Sequence, residues 1–349
     1  MQILLHISRV QVMRPRLRQV AKLAGVSEAT VSRVVNGRPG VAEATRRDVV
    51  RALERLGYQP TGVPAVAAAR RMVAVIVPDL VNPVFPAFGQ AVEAALSRQG
   101  ITTVLCTATA ESIQEVECFE ALGNRGIDGF VVVSGLNSDT SAEHSHYARL
   151  AEAGRALVLV NGPLTSVDLP AVSADEVAGA ELAVRHLLDL GHRRIGLATG
   201  PRRYLPTQRK LQGYDQALTA AGIEVDPALQ AETVLSVEGG RLAMEHLLDQ
   251  GATGVLTGSD LMALGAVGAA RERGLAVPAD ISVVGYDDIP LAGYTDPPLT
   301  TLRQPVIAMG AAAAGLLTDE LEGKRPAHQG ELLFRAELIA RGSTGHVRG

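Results

Sequence analysis

Residues 17–37 read LRQVAKLAGVSEATVSRVVNG, and Gly25 inside that run decides how the head of the chain folds. Leu17, Val20, Ala21 and Leu23/Ala24 recur at helical spacing and stop at Gly25. A glycine there can take the positive φ of a tight turn. Ser27 then stands as an N-cap, and Thr30, Val31, Val34 and Val35 carry a second helix up to Asn36-Gly37 and Pro39-Gly40, which break it. A third helix is expected from about Ala42 to Leu56, with Val49, Leu53 and Leu56 inward. Two short helices joined at a glycine and packed by a third form a helix-turn-helix unit, whose second helix enters the DNA major groove. A plain three-helix bundle with a basic surface is the alternative. Ala21, Gly25 and Val31 allow the helices to approach closely, which leaves Ser27, Glu28, Ala29, Ser32, Arg33 and Asn36 to face outward.

The charge distribution agrees with a polyanion partner for this head. Residues 1–71 hold 13 Lys+Arg against 4 Asp+Glu, about +9, so the remaining residues hold 20 against 33, or −13. A solvated basic face is the bland reading of the same numbers. At 349 residues and 47% hydrophobic, the chain can bury a sizeable core in two or three domains. Aromatics are 3% with no Trp, so that core is built from Ala, Val, Leu and Ile. Cys106 and Cys118 make no disulfide framework and no metal spacing, so neither metal nor cofactor is expected, and they fit a reducing cytoplasm. No run of 18 apolar residues exists, which argues against a membrane span. The opening MQILLHISRVQVM is broken by His6 and Arg9 and lacks a cleavage site, so it does not read as a secretory signal. Met13 is the simpler start, with residues 1–15 a disordered extension.

From Leu17 to Pro60 the chain, LRQVAKLAGVSEATVSRVVNGRPGVAEATRRDVVRALERLGYQP, resembles the headpiece of the lactose repressor (LacI/GalR) family of transcription regulators, and the match runs through the whole chain from Arg16. The resemblance implies that Leu17, Arg18, Ser27, Ser32, Asn36 and Thr45 hold the phosphate backbone of operator DNA and that Glu28, Ala29 and Arg33 read bases. Arg33 can bond guanine O6 and N7 together, while Glu28 departs from expectation beside phosphates and is placed to accept from a cytosine amino group or to pair with a neighbouring Arg. After this domain, residues 16–60, the segment 61–71 corresponds to a hinge helix that wedges the minor groove in the family. The wedge position is Ala67 here, so weaker bending, or a wedge moved to Val66, is expected.

The body, residues 72–342, changes pattern. MVAVIVPDL, TTVLCTA, GFVVVSG, ALVLVNG, RIGLATG, GVLTGS and ISVVGYDD are short apolar runs separated by helical or loop segments, the mark of parallel sheets covered on both faces. The pattern restarts at DLGHRRIGLATG, so an α/β core of two doubly wound lobes is expected, of the periplasmic-binding-protein kind. Lobe one takes about 72–171 and 304–328, and lobe two about 172–303 and 329–342. Ligands of such folds sit beyond the carboxyl ends of the strands. Asp79, Asn82, Asn161, Arg209, Lys210, Ser259, Asp260 and Asp287 stand there, each alone readable as a cap or turn residue, and Asp260 better read as a cap than a ligand contact. The resemblance adds Gln304 in TTLRQP and keeps Asp287 as an acidic contact. It also exposes departures: Lys210 replaces an Arg, Ser259 an Asn, and Leu235 an aromatic that would stack on a sugar ring.

No G-x-S-x-G, P-loop, G-x-G-x-x-G or H-E-x-x-H occurs, and His186, His192 and His246 have no evident catalytic partner in sequence. The sequence therefore reads as a homodimeric, cytoplasmic operator-binding repressor controlled by a small-molecule effector such as a sugar, with dimer contacts on helices such as Pro86–Arg98 unless that Ala-rich face is core. A solute-binding protein without a DNA role is the alternative. A sugar-modifying or hydrolytic enzyme would need a catalytic pair.

Overall fold

Gly25 takes φ +66° and turns the chain between α1 (Leu17–Ala24) and α2 (Glu28–Val35). Ser27 accepts the Thr30 amide on its hydroxyl at 3.1 Å, which caps α2. With α3 (Glu43–Arg55), these helices bury Val20, Ala21, Val31, Val34, Val49, Ala52 and Leu53 in one small core. Two expected core positions differ: Leu23 and Leu56 are exposed, and Ala52 fills the third inward place on α3. The computed structural model describes residues 17–35, 40–56, 71–108, 114–324 and 330–347. The extension 1–15, Asn36 and the hinge with Val66 and Ala67 lie outside the described residues. The chain divides into two units, residues 1–70 and 71–349.

Within the second unit, lobe one begins with β1 (Met72–Val77), α4 (Val84–Ser97), β2 (Thr102–Thr107), α5 (Glu115–Gly123), β3 (Gly129–Val133), α6 (Ser145–Glu152), β4 (Ala156–Val160) and β5 (Ala171–Ala174). Lobe two follows with α7 (Glu176–Asp189), β6 (Ile195–Thr199), α8 (Leu205–Ala220), β7 (Gln230–Glu232), α9 (Val237–Asp249), β8 (Gly254–Thr257), α10 (Asp260–Glu272), β9 (Ser282–Asp287) and β10 (Thr300–Arg303). The chain returns through α11 (Val306–Leu321), β11 (Glu331–Phe334) and β12 (Glu337–Ile339). The sheets run β11-β5-β4-β3-β1-β2 and β12-β10-β9-β8-β6-β7, all parallel except the antiparallel β12–β10 pair.

Most strands are apolar throughout because helices cover both faces. In lobe one α4 and α11 pack on one face and α5 and α6 on the other; in lobe two α9 and α10 oppose α7 and α8. Part of the Ala-rich side of α4 is occupied within the chain: Ala91 lies so close to Gly310 of α11 that a Cβ there would clash. The lobe boundaries move from those expected. Both β5 and β11 belong to the sheet of lobe one, where they pair with each other, so residues 172–174 and 331–334 leave lobe two. Four-residue strands of mixed polarity at or near a sheet edge carry little pattern, which is why the sequence misplaced them. The chain thus crosses between lobes three times, at Asp175, at Gln304-Pro305 and at Arg335-Ala336.

Candidate functional site

The C-terminal ends of β1, β3, β4, β6, β8 and β9 border one cavity of about 330 Å³ between the lobes. Of the ten candidates expected there, eight line it, and Arg209 and Asp260 do not. Asp79, Asn82 and Asn161 come from lobe one, Lys210, Leu235, Ser259 and Asp287 from lobe two, and Gln304 from a crossover.

Each is fixed by local chemistry. Asp79 Oδ1 accepts the Val81 and Asn82 amides at 2.7 and 2.8 Å, shaping the turn after β1, and Asn82 Oδ1 accepts the Val84 amide at 3.3 Å at the start of α4. Asn161 sits at φ +60°, where Asn is tolerated better than most residues. Its amide donates to Ser134 Oγ at 3.2 Å and its carbonyl accepts from Ala174 N at 3.3 Å, so it ties the ends of β3, β4 and β5 together. Ser134, at φ +48°, and Asp287, at φ +114°, are also held in the left-handed region at strand ends, so backbone strain clusters at the rim of the cavity.

In lobe two the Lys210 ammonium stands 2.5 Å from Glu176 Oε2 and 3.9 Å over the Tyr286 ring. Gln304 Nε2 donates to Asp287 Oδ1 at 2.7 Å, and Gln304 Oε1 is buried without a protein partner. Burial, with Asp260 adding to it, pushes the Asp287 carboxyl well above the usual carboxylate range, against the pull of Lys210 and Gln304. Leu235 leans over Gly200 and Gly258, positions where a Cβ would meet its side chain.

Other expectations change. Ser259, not Asp260, caps α10, its hydroxyl accepting Met262 N at 3.3 Å. Asp260 is fully buried behind it and accepts from Thr301 Oγ1 and Ile289 N. Arg209 does not line the cavity but pairs with Glu331. Sequence reasoning missed Glu176, Arg203, Tyr204, Ser134, Ser138, Phe85 and Phe88, which also line the cavity. Ser134 followed an apolar run and could have been found by the strand-end rule. Phe85 supplies, from lobe one, an aromatic wall opposite in lobe to Leu235.

In the head, Arg18, Ser27, Glu28, Ala29 and Arg33 are exposed, while Leu17, Ser32 and Thr45 are half-buried. Glu28, Ala29 and Arg33 occupy the solvent side of α2, whose other side is pinned by Val31 and Val34.

The model of bacterial regulatory proteins of the lacI family matches residues 16–61, and that of the periplasmic binding protein-like domain matches residues 184–344. An HTH-type transcriptional regulator from the aml 5' region of Streptomyces limosus is 52% identical over 95% of this chain and 94% of its own length. A transcriptional regulator CelR–cellobiose complex superposes with TM-score 0.70 at 34% identity, covering 95% of this chain and 100% of the other. A lac repressor dimer bound to operator and an anti-inducer superposes with TM-score 0.74 at 28% identity, with the same coverage of 95% and 100%. The helix-turn-helix head, the two-lobed core and these likenesses together establish that the chain belongs to the LacI family of DNA-binding transcriptional regulators.

Proposed function

We propose that the protein is a cytoplasmic, homodimeric operator-binding repressor whose DNA affinity is set by a small polyhydroxylated effector held between the lobes of its core. The observation that carries the reading is the cavity itself, which draws polar side chains from the strand ends of both lobes and from a crossover between them. A molecule touching Asp79 and Asn161 on one side and Lys210 and Asp287 on the other interacts differently with open and closed lobes. That difference is the source of any allosteric shift. Closure about the three crossovers then changes the dimer contacts and the two heads they carry.

In the head, the resemblance assigns Leu17, Arg18, Ser27, Ser32, Asn36 and Thr45 to phosphates, Glu28, Ala29 and Arg33 to base edges, and Ala67 to the hinge wedge. The protein acts by binding and not by turnover, in keeping with its family. The relatives named above support this reading: the lac repressor is captured on its operator as a dimer, and CelR with cellobiose. A solute-binding protein with no DNA role would leave the head unexplained.

Removing residues 1–60 tests the assignment: operator binding should vanish while ligand binding by the core persists. A truncated protein that still binds operator overturns it. A ligand at about 100 times its dissociation constant should stabilise the core by roughly 2.7 kcal/mol, so a thermal-shift screen can identify the effector.

A further inference from the structure

We propose that Cys106 and Cys118 form a reversible intramolecular disulfide, a redox-modification site on lobe one whose closure is felt at the cavity through Glu115.

The fold brings these two thiols together from different elements, Cys106 near the end of β2 and Cys118 in α5. The parallel register sets Cys106 beside Ile76 of β1, and Ile76 beside Val132 of β3, and residues in register share one face of a sheet. That is the face α5 covers. Cys118 and Phe119 pack there among Ala74, Ile76, Phe130 and Val132, with Cys106 against the same cluster. The Cys118 thiol is in hydrogen-bond contact with Cys106.

The pair is asymmetric: Cys106 is half-buried and Cys118 is buried. Burial, with Cys106 and Glu115 adding to it, pushes the Cys118 thiol up to about 12. Cys118 therefore keeps its proton, and an oxidant meets Cys106 first. With hydrogen peroxide as the oxidant, the Cys106 thiolate attacks one peroxide oxygen and the O–O bond breaks. Cys106 becomes a sulfenic acid, and the other oxygen leaves as hydroxide and takes up the proton that the Cys106 thiol had released. The Cys118 sulfur then bonds to the Cys106 sulfur, and the sulfenic hydroxyl departs with the Cys118 proton as water. Overall the two thiols give up two electrons and two protons, and one peroxide becomes two waters. A reducing dithiol reverses the bond by exchange. In a reducing compartment such a disulfide is transient, as a sensor requires.

Sulfurs in a disulfide are about 2.05 Å apart, closer than two thiols in hydrogen-bond contact, so closure draws α5 toward β2. The first residue of α5 is Glu115, whose buried carboxylate anchors the loop after β3. Its Oε2 accepts the Leu136 amide at 2.8 Å and its Oε1 the Tyr147 hydroxyl, with His146 Nε2 at 3.4 Å. Gly135 lies so close to the same carboxylate that a Cβ would clash with it. This loop presents Ser134 and Ser138 to the cavity, so a displacement of α5 reaches the cavity wall.

The test treats the full-length protein with hydrogen peroxide and follows both thiols by alkylation and intact mass under denaturing conditions. Both thiols are expected to disappear together, with the mass lower by two hydrogens and no covalent dimer, and to return with dithiothreitol. Cys118→Ser should stop instead at a Cys106 sulfenic acid that dimedone traps. Wild-type protein that keeps both thiols, accumulates Cys106 sulfinic acid beside a free Cys118, or links into covalent dimers overturns the proposal. Hydrogen exchange at residues 134–138 reads the link to the cavity: it should change on oxidation of the wild type and stay constant in Cys106→Ser. Unchanged exchange there in the disulfide form overturns that link. Neither readout uses an effector, so both outcomes are independent of the cavity's assignment as the effector site.

Discussion

Arg209 of α8, in lobe two, holds Glu331 of β11, in lobe one, through two parallel hydrogen bonds of 2.6 and 2.7 Å. The pair is mostly shielded, with side chains 21% and 16% exposed, and it lies outside the cavity. Its fork geometry makes it a strong kind of ion pair, and it ties the lobes together without touching a ligand. Lysine at this position would keep the charge and lose the fork. Arg209→Lys is therefore expected to lower the unfolding free energy of the protein by about 1–2 kcal/mol and to weaken effector binding. Because the chain has no Trp, denaturation is best followed by far-ultraviolet circular dichroism. A loss below about 0.5 kcal/mol would place the pair with ordinary surface bridges.

The exposed face of α2 makes separable predictions about DNA. Arg33→Ala should cost about 1–3 kcal/mol of operator affinity and relax the preference at one base pair. Arg18→Ala should weaken all sequences alike and reduce the salt dependence, as expected of a phosphate contact. Glu28→Ala should change which base is preferred. Operator selection from a randomised pool reads all three, and an unchanged preferred sequence for Glu28→Ala would remove it from base reading.

The parts of the fold that were legible share one physical property. β1, β3, β4, β8 and β9 are buried on both faces, so Val73–Val77 or Phe130–Val133 stand out as apolar runs. Gln230–Glu232 and Glu337–Ile339 do not, because three-residue edge strands show neither length nor alternation. The site was legible on the same terms: Asp79, Asn161 and Asp287 follow such runs directly. Glu176 was hidden because the strand before it, β5, was not recognised. Arg203 was hidden because its role depends on Asp139, which reaches it only once the two lobes face one another. Ser259 and Asp260 were exchanged as cap and non-cap because either side chain can cap a helix, and only packing decides.

Glycines at the α9–α10 crossing set a stability prediction. Gly265 lies against the Val237 carbonyl oxygen and Gly240 against the Met262 backbone, so neither has room for a Cβ. Gly265→Ala must push two helices apart and is expected to cost about 1–3 kcal/mol or more. Gly268, on the same helix, has nothing within reach of a Cβ, and Gly268→Ala should stabilise by about 0.5–1 kcal/mol. Opposite signs from the two variants, three residues apart, would show that contact and not helix propensity decides. Equal effects would refute the close packing of α9 on α10.

Asp260 gives a pH prediction of definite sign. Its carboxylate is fully buried, accepts the Ile289 amide at 2.7 Å and the Thr301 hydroxyl at 2.5 Å, and burial pushes its pKa from 3.8 up to about 7. Between those values the folded protein keeps a proton that the unfolded chain has released. The Asp260 contribution is therefore favourable at low pH and is lost as pH rises from about 4 through 7. His192 and His186 act in the opposite sense. Burial lowers both, so their contribution is present above the unfolded histidine value of about 6.5 and is lost as pH falls through it. Comparing Asp260→Asn with the wild type at each pH cancels the histidines. Asn can keep both contacts, its Oδ1 accepting from Ile289 and its Nδ2 donating to the Thr301 hydroxyl, which turns round to accept. The variant should gain stability over the wild type progressively from pH 4 to pH 7, by on the order of 3–4 kcal/mol, and the gain should then level off. Denaturant melts across that range measure it, and a difference that does not change with pH would show that Asp260 is ionised throughout.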